Sequence, residues 1–494
     1  MNRGRLGAGV GAGVCLALAM PPWDLAPLGL GTFALLALAL HRAAPREAAA
    51  ALWAGGLAAF ALTGPWLIET VRRFTGVPWT LAALAHVGAC AWMALAWALA
   101  GYLAARTAAV LGAALSAGLA LWAALRFGPR VFPYPPALPL VSLPALPQCA
   151  DLVGVEGLGA ALLALSVLGV EAARRRCARR GAAVLLGVAG MLTYGALREA
   201  QVMRARTAAP TLAVALVQPA VGAALRWEPW AKDAALARLQ SLSREGGAGA
   251  DLVVWHEAAY PHELRMDVAR DGEAAPAALP DDGPPLLFGA MARAGDDAHP
   301  RRFNIVFLRA RGGRIAGSAA KRVLLPFGEY LPGLVWFRAQ HAAATGGQGV
   351  SPGTTPPRIS LGRKEIGVLN CFEDTVPEAL EGIAGVDLLV NVTNDAWFAG
   401  SNNAQHVVAA RWRAIELRRD LVRASNEGAS GHIDARGRVV AQAPQGVMTV
   451  LRVTPRALRG VPTAAPFAMF WGPRAALVVL AVAWWQSRRR ERSG

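Results

Sequence analysis

The stretch KEIGVLNCFED, residues 364–374, places a cysteine between a short apolar run and a polar turn. Apolar runs of about 5–8 residues are typical of buried β-strands. We therefore predict that Cys371 lies at a strand end, where its thiol projects into a cleft with free backbone N–H groups nearby. Six similar runs occupy the same part of the chain: TLAVALVQ (211–218), ADLVVWHE (250–257), PLLFGAM (285–291), NIVFLRA (304–310), DLLVNVTND (387–395) and LVRASNEG (421–428).

Two helical stretches, near Trp230–Gly246 and His406–Arg419, alternate with these predicted strands. Alternation of strands and helices, punctuated by glycine-containing turns, indicates a layered α/β domain. We assign this domain to residues 205–460. The predicted organisation is then transmembrane helices 1–7 in residues 1–204, the α/β domain, and a C-terminal transmembrane helix with a basic cytoplasmic tail in residues 461–494.

The rest of the chain has the composition of a membrane protein. Hydrophobic residues make up 54% of the 494 residues and the mean hydropathy is +0.35, which are high values for a soluble protein. Because about 20 helical residues span a bilayer, we predict a polytopic α-helical membrane domain of about eight transmembrane helices. The apolar segments behind this prediction lie near residues 6–20, 24–40, 48–68, 80–104, 108–125, 157–172, 181–197 and 471–486. An alternative interpretation treats residues 1–19 as a cleavable signal peptide, because Ala17, Leu18 and Ala19 form an A-x-A pattern.

The net charge of +17 lies mainly outside the predicted α/β domain. Residues 205–460 contain 29 basic and 25 acidic side chains, which leaves +13 in the apolar flanks. Basic residues beside apolar segments fit membrane orientation better than they fit binding to nucleic acid. With a cytoplasmic N-terminus, fourteen arginines fall in the predicted cytoplasmic flanks and four in short outer loops. This bias predicts that the α/β domain lies outside the cytoplasm.

Cys371 requires a base if it is a nucleophile, because a free thiol with a pKa of about 8.5 is only slightly ionised at neutral pH. The candidate base is Glu257 in DLVVWHEAAYP (residues 251–261), which also ends an apolar run. Burial beside Trp255 and Tyr260 would favour uptake of a proton by this carboxylate. Cys371 is the only cysteine in the predicted α/β domain, and no CxxC or Cys/His spacing in the chain indicates a metal site or a disulfide framework.

Lys321, in GSAAKRVLLPFGEYLP (residues 317–332), is one of three lysines among 50 basic residues. An ammonium group fits a tight site that a planar guanidinium does not fill. We predict that Lys321 stabilises the oxyanion of a tetrahedral intermediate, with a backbone N–H near Phe372 as a second donor. Glu329 and Glu373 lie close by in the sequence, where the residue pattern alone does not distinguish them from ordinary turn carboxylates.

The chain order glutamate, lysine, cysteine resembles that of the carbon–nitrogen hydrolase (nitrilase) superfamily, whose members carry these residues in an αββα sandwich. With apolar segments on both sides, the chain is similar over nearly its full length to the apolipoprotein N-acyltransferase family of Gram-negative bacteria. The resemblance implies an α/β nitrilase-like αββα sandwich beside the membrane helices. The stretches that carry it are PPWD (21–24), LVQ…RWEPW (216–230), KRVLLPFGEYLP (321–332) and NVTNDAWFAGS…QH (391–406).

The resemblance also implies roles for individual residues. The implied catalytic residues are Glu257 as base, Lys321 as oxyanion stabiliser and Cys371 as nucleophile. The implied supporting residues are Glu329, Glu373 and Phe372. The implied substrate-binding residues are Trp227, Phe398 and Asn394, and the resemblance places the two aromatic residues on loops around the entrance to the site. Three positions depart from the family pattern, which usually has tyrosine at Phe372, glycine at Ala399, and a small residue or proline at His256.

The function implied by the resemblance is a two-step acyl transfer. Cys371 would take an acyl chain from a membrane phospholipid, phosphatidylethanolamine, as a thioester and pass it to the N-terminal amine of diacylglyceryl apolipoproteins. No metal or other cofactor is expected, and the protein would act as a monomer in the bacterial inner membrane with its catalytic domain facing the periplasm. Two alternatives remain at this point: a membrane-tethered amidase acting on a small amide, and a non-catalytic scaffold for lipoproteins.

Overall fold

The computed structural model describes residues 2–222, 230–273, 275–295, 301–330, 349–397 and 402–493. The chain divides into two compact units. The first unit combines Met1–Gln201 with Thr463–Gly494, and the second unit is Val202–Pro462.

The first unit is built from α-helices. Its helices are α1 (Arg3–Ala19), α2 (Leu28–Leu40), α3 (Pro45–Thr63), α4 (Trp66–Thr75), α5 (Trp79–Leu111), α6 (Ala113–Phe127), α7 (Ala150–Arg175), α8 (Ala178–Ala208), which continues into the second unit, and α11 (Ala465–Ser493). Helices α1 and α3 approach closely, since a Cβ added at Gly9 would lie 1.9 Å from the carbonyl oxygen of Ala51. One added at Gly13 would lie 2.2 Å from the carbonyl oxygen of Gly55. Small residues at a helix interface permit this kind of packing in membrane proteins.

Among the described residues, four helices are long and apolar enough to cross a membrane: Trp79–Leu111, Leu146–Arg175, Ala178–Ala208 and Ala465–Arg490. The pair Pro45–Thr63 and Trp66–Arg73, bent by 63°, makes a fifth if it is one span. Helices α1, α2 and α6, with 17, 13 and 15 residues, are shorter than the roughly 20 residues that cross a bilayer without tilt or thinning. The apolar helices agree with a membrane protein, and the number of eight spans stays a prediction.

The second unit contains two β-sheets. Its strands are β1 (Val214–Gln218), β2 (Leu252–Val254), β3 (Tyr260–Arg265), β4 (Leu286–Ala294), β5 (Arg301–Arg309), β6 (Ile315–Ala320), β7 (Arg358–Leu361), β8 (Lys364–Asn370), β9 (Leu388–Thr393), β10 (Leu421–Ser425), β11 (Gly431–Ile433), β12 (Val439–Gln442) and β13 (Thr449–Val453). One sheet has the order β13-β1-β2-β4-β5-β6, with β3 paired to β4. The other has the order β12-β11-β10-β9-β8-β7.

The two sheets pack face to face, with a helix on each outer face. Val254 of the first sheet and Val390 of the second lie in the shared apolar core. Leu236 and Leu239 of α9 (Ala231–Gly246) pack on the outer face of the first sheet. Helix α10 (Asn402–Leu417) packs beside β10 and β11 of the second sheet. This αββα arrangement confirms the layered α/β domain predicted from the alternation of strands and helices.

Helix α10 begins four residues earlier than predicted. The prediction placed its start near His406, whereas the helix begins at Asn402. Asn403 and Gln405 of this first turn are buried in the second unit. Burial in the second unit thus stabilises a first turn in which Asn402 and Asn403 have a low local preference for helix.

Parallel strand pairing brings the candidate residues of the second sheet to one edge. Strand β8 pairs in parallel with β9, with Asn370 opposite Val392. Because neighbouring parallel strands end at the same edge, Cys371 and Thr393 lie side by side. In the first sheet β1, β2 and β4 are also parallel, and Glu257 follows the end of β2.

Candidate active site

Cys371 begins a short 3₁₀ turn directly after β8, and its backbone has a φ of +53°. Positive φ is uncommon for a residue with a side chain, and such strained conformations cluster at functional sites. The side chain is buried. The candidate nucleophile therefore occupies a sharp, buried turn at a strand end.

Glu257 is held by donors from three directions. Its Oε1 accepts hydrogen bonds from Asn304 Nδ2 at 2.7 Å and from Lys321 Nζ at 3.4 Å, while its Oε2 accepts one from the backbone N–H of Asn394 at 3.1 Å. A Cβ added at Gly289 of β4 would lie 2.8 Å from the Glu257 Cα, so β4 approaches this segment closely. These contacts fix the orientation of the candidate base.

Lys321 follows β6, and its ammonium group lies between two carboxylates. Its Nζ donates to Glu329, 3.0 Å from Oε1 and 2.9 Å from Oε2, as well as to Glu257. Burial alone would lower the pKa of Lys321, but the charges of Glu329 and Glu257 outweigh this effect and raise its pKa well above the ordinary value. Lys321 therefore remains a cation throughout the physiological pH range.

Asn304 of β5 connects these groups, although the sequence analysis did not identify it. Besides Glu257, its Nδ2 donates to Glu329 Oε1 at 3.2 Å, and its Oδ1 accepts from Asn370 Nδ2 at 2.9 Å. The signal that could have found it was a polar residue at the start of the apolar run NIVFLRA. We call Glu257, Asn304, Lys321 and Glu329 the reaction network.

Glu373 ties the cysteine turn to the chain that follows Lys321. Its Oε1 accepts from the backbone N–H groups of Arg322 at 2.7 Å and Val323 at 3.0 Å, and its Oε2 accepts from that of Asn370 at 2.8 Å. Burial raises the pKa of Glu373, and the backbone donors oppose that shift. Its position fits a supporting residue that joins two loops of the site.

The Cys371 thiol lies in an environment that disfavours the free thiolate. Burial, followed by the negative charge of Glu257, raises the pKa of Cys371 well above its ordinary value, while the Lys321 ammonium and the Thr393 hydroxyl act in the opposite direction. Thr393 Oγ1 lies 3.5 Å from Cys371 Sγ. The resting cysteine is therefore a neutral thiol, and it needs a base to take its proton during a reaction.

Behind Cys371 lies a second set of buried charges, which we call the anchor cluster: Asp374, Asp395, His406 and Arg423. Arg423 donates to Asp374 Oδ2 at 3.0 Å and to Asp395 Oδ2 at 2.7 Å. The His406 ring nitrogens lie 2.5 Å from Asp374 Oδ1 and 3.1 Å from Asp395 Oδ1. The sequence analysis quoted Asp395 and His406 within one motif and Arg423 within a strand, but it did not connect them.

The remaining predicted site residues lie in different places, and some of them are outside the part of the chain that the structure describes. Asn394 is buried, and its side-chain oxygen accepts from Asn426 Nδ2 at 3.1 Å, so it contacts Glu257 through its backbone. Phe372 is buried next to Cys371. Trp227 and Phe398, like Ala399, lie outside the described residues. Among the described side chains, no group of three or more His, Cys, Asp or Glu residues is arranged to hold a metal ion.

Comparison with known protein families gives two matches that together cover most of the chain. Residues 12–168 match the model of the apolipoprotein N-acyltransferase N-terminal domain, and residues 213–455 match that of carbon–nitrogen hydrolases. The chain is 31% identical over 452 residues to an apolipoprotein N-acyltransferase of Geobacter metallireducens. This alignment covers 88% of this chain and 86% of the relative. It is 32% identical over 512 residues to an apolipoprotein N-acyltransferase of Azotobacter vinelandii. This alignment covers 97% of this chain and 94% of the relative.

Two solved structures are similar to about half of this chain. A nitrilase-superfamily protein of Saccharomyces cerevisiae aligns with 54% of this chain and 94% of its own, at a TM-score of 0.37 and 18% identity. A carbon–nitrogen hydrolase of Helicobacter pylori aligns with 49% of this chain and 89% of its own, at a TM-score of 0.35 and 14% identity.

Proposed function

Because this chain belongs to the apolipoprotein N-acyltransferase family, we propose that it moves an acyl chain from a membrane phospholipid to the N-terminal amine of the lipid-modified cysteine of apolipoproteins. The observation that carries this proposal is the arrangement at one buried site. Cys371 lies in a strained turn at a strand end, where the charges of Glu257 and Lys321 act on its thiol. A thiol, a base and a fixed cation are the groups that acyl transfer through a thioester requires.

In the first step, Glu257 takes the proton of Cys371 while the sulfur attacks the ester carbonyl of a phospholipid, in the proposal phosphatidylethanolamine. The carbonyl oxygen becomes an oxyanion, which the Lys321 ammonium stabilises. When the tetrahedral intermediate collapses, the carbon–oxygen bond to the glycerol breaks and Glu257 returns the proton to the departing alkoxide. The products are an acyl thioester on Cys371 and a lysophospholipid.

In the second step, the α-amine of the lipid-modified cysteine attacks the thioester carbonyl. Glu257 accepts a proton from the attacking nitrogen, the carbon–sulfur bond breaks, and Cys371 recovers a proton as the amide forms. A thioester retains enough acyl reactivity to acylate an amine, so this proposed sequence needs no cofactor and no ATP.

Two features of the reaction network support this division of roles. Glu329 lies against the Lys321 ammonium, and together with Glu257 it keeps that group charged for the oxyanion. Asn304 and the backbone N–H of Asn394 hold both carboxylate oxygens of Glu257 in a fixed direction. Groups fixed in advance stabilise a transition state without reorganising during the reaction.

The proposed setting is the bacterial inner membrane. The apolar helices of the first unit cross it, and residues 205–460 face the periplasm, a side favoured by the arginine bias of the flanking segments. The protein acts as a monomer in this proposal. In this proposal Trp227 and Phe398 bind the acyl chains, a role that rests on the family resemblance, and exclusion of water from the site protects the thioester from hydrolysis.

The deciding experiment follows the acyl group. Purified full-length protein in detergent is incubated with phosphatidylethanolamine carrying a labelled acyl chain, and the Cys371 peptide is examined by mass spectrometry for an added fatty-acyl mass. A diacylglyceryl lipopeptide with a free amine is then added. We expect the label to accumulate on Cys371 and to move to the lipopeptide as an amide.

Matched cysteine variants make the result specific. Cys371→Ser should show no acyl thioester, whereas Cys15→Ser, in the first unit, should match the unaltered protein. Discharge of the label to water at the same rate with and without the lipopeptide would favour the membrane-tethered amidase. Unchanged lipopeptide acylation by Cys371→Ala would favour the non-catalytic scaffold.

A further inference from the structure

A threonine hydroxyl at the end of β9 lies between the candidate nucleophile and the anchor cluster. Thr393 is completely buried, and its Oγ1 lies 3.5 Å from Cys371 Sγ and 3.0 Å from Asp395 Oδ1. A hydroxyl carries one proton and can donate it to only one acceptor at a time. Which of the two atoms receives this proton must therefore depend on the charge of the sulfur.

We propose that Thr393 is a further catalytic residue, whose hydroxyl donates to Asp395 while Cys371 is a thiol and turns to donate to the sulfur when it becomes a thiolate. The inference rests on the proposed role of Cys371 as the nucleophile. The proton that leaves sulfur still passes to Glu257. The Thr393 proton stays on its own oxygen, so no bond to hydrogen is made or broken at this residue.

Asp395 can release the hydroxyl at little cost because other donors satisfy it. Its Oδ2 accepts from Arg423 at 2.7 Å and from the Ser425 hydroxyl at 3.0 Å, and its Oδ1 lies 3.1 Å from His406 Nδ1. Although burial alone would raise it, the charges of Arg423 and His406 hold the pKa of Asp395 well below its usual range. Asp395 thus remains a carboxylate that accepts a hydrogen bond and supplies no proton.

The thiolate needs this donor because charges of both signs surround the sulfur and burial disfavours its ionisation. Glu257 and Asp395 disfavour a negative sulfur, whereas Lys321 and Arg423 favour it. Burial adds to the cost of ionisation, since the sulfur is withdrawn from water. A hydrogen bond to an anion inside a protein contributes substantially more than one between neutral groups. The same contact would stabilise the thiolate that leaves when the thioester is consumed.

The parallel register of β8 and β9 explains why Thr393 is in this position. Asn370 is paired with Val392, so the residues that follow, Cys371 and Thr393, emerge together. The Asn391 side chain reinforces the register, since its Nδ2 donates to the Cys371 carbonyl at 3.3 Å. Arg423 of the anchor cluster donates in turn to Asn391 Oδ1.

The test measures ionisation of Cys371 without any lipid. The rate of alkylation of Cys371 by iodoacetamide is followed from pH 6 to pH 10 by peptide mass spectrometry, in full-length protein and its variants. Thr393→Val keeps the shape but loses the hydroxyl. We expect its pH–rate profile to shift to higher pH by at least about one unit, and its rate at neutral pH to fall roughly 10- to 100-fold.

Two variants serve as controls. Thr393→Ser keeps a hydroxyl and should restore most of the rate and the original pH–rate profile. Ser425→Ala removes the other hydroxyl that donates to Asp395 but does not contact the sulfur, so its pH–rate profile should match that of the unaltered protein. Thermal unfolding of each variant verifies that the fold is retained.

The outcomes separate this inference from the proposed function. An unchanged pH–rate profile in Thr393→Val would overturn the inference. Equal shifts in Thr393→Val and Ser425→Ala would also overturn it, because a shift in Ser425→Ala would assign the effect to Asp395. If Thr393→Val shifts the profile but phosphatidylethanolamine never acylates Cys371, the inference stands and the proposed function fails. If Cys371 is acylated normally and the pH dependence of its alkylation is the same in Thr393→Val as in the unaltered protein, the proposed function stands and the inference fails.

Discussion

Two buried charged networks flank Cys371, and they differ in their balance of charge. The reaction network places two carboxylates, Glu257 and Glu329, around one cation, Lys321. The anchor cluster contains two carboxylates, Asp374 and Asp395, and two cations, Arg423 and a protonated His406. A network with more carboxylates than cations can take up a proton, whereas a balanced one resists any change of charge. The comparison indicates that protons move on the Glu257 side of the sulfur, while the opposite side stays fixed.

The largest effect is expected from Glu257→Gln. The amide can still accept from the backbone N–H of Asn394, but it cannot take the proton of Cys371. We expect acyl transfer to the lipopeptide to fall about 10²- to 10⁴-fold, the usual contribution of a general base. Initial rates of amide formation with phosphatidylethanolamine as donor measure it. A loss below about tenfold would mean that the proton leaves the sulfur by another route.

Substitution in the anchor cluster should lower the free energy of unfolding. Arg423→Met leaves Asp374 and Asp395 buried with one cation between them, and breaking a buried ion pair typically costs about 3–5 kcal/mol. Pulse proteolysis of the full chain in increasing urea measures the change. Arg265→Met is the matched control, since Arg265 pairs with Asp267 at the surface, where such pairs contribute about 0–1 kcal/mol. Equal midpoints for the two variants would contradict a stabilising role for the anchor cluster.

A change of shape without a change of charge tests the reaction network more finely. Lys321→Arg keeps one positive charge, but the planar guanidinium is too broad for the space between Glu257 and Glu329. We expect a loss of about 2.7–4 kcal/mol of transition-state stabilisation, as for an oxyanion donor, with unfolding close to that of the unaltered protein. Rates of acyl-Cys371 formation measure the effect. Near-normal turnover would show that charge alone suffices at this position.

The smallest effect is a pH dependence of stability. Burial alone would lower the pKa of His406, but the Asp374 carboxylate outweighs this and raises its pKa to about 9. A raised pKa in the folded state means that the stabilisation is fully present below the unfolded value of about 6.5 and is lost as the pH rises through 9. The urea midpoint should therefore decrease as the pH is raised from 6.5 to 9. The corresponding loss of unfolding free energy is up to about 3 kcal/mol. His406→Gln should flatten this slope, and a slope that persists would assign it to another group.

Parts of the fold and site were predictable because local chemistry specifies them. The apolar runs predicted the strands that precede Glu257 and Cys371, since a buried strand is apolar whatever it pairs with. The contacts of Asn304 were not predictable, because a polar residue in an apolar strand stands out in the sequence but gives no indication of which carboxylates it will contact. The lengths of the apolar helices were not predictable for a related reason. Apolar character marks α2 and α6, but it does not show that a helix ends after 13 or 15 residues.

The sequence alone determined the chemical inventory: one cysteine, one scarce lysine and a carboxylate at the ends of apolar runs, in a layered α/β unit between apolar segments. Tertiary structure decided which groups touch, such as Thr393 beside the sulfur and His406 between two aspartates. The physical reason is that strand and helix propensities act over a few neighbouring residues. Hydrogen-bond partners depend instead on strand pairing and register, which join positions far apart in the chain.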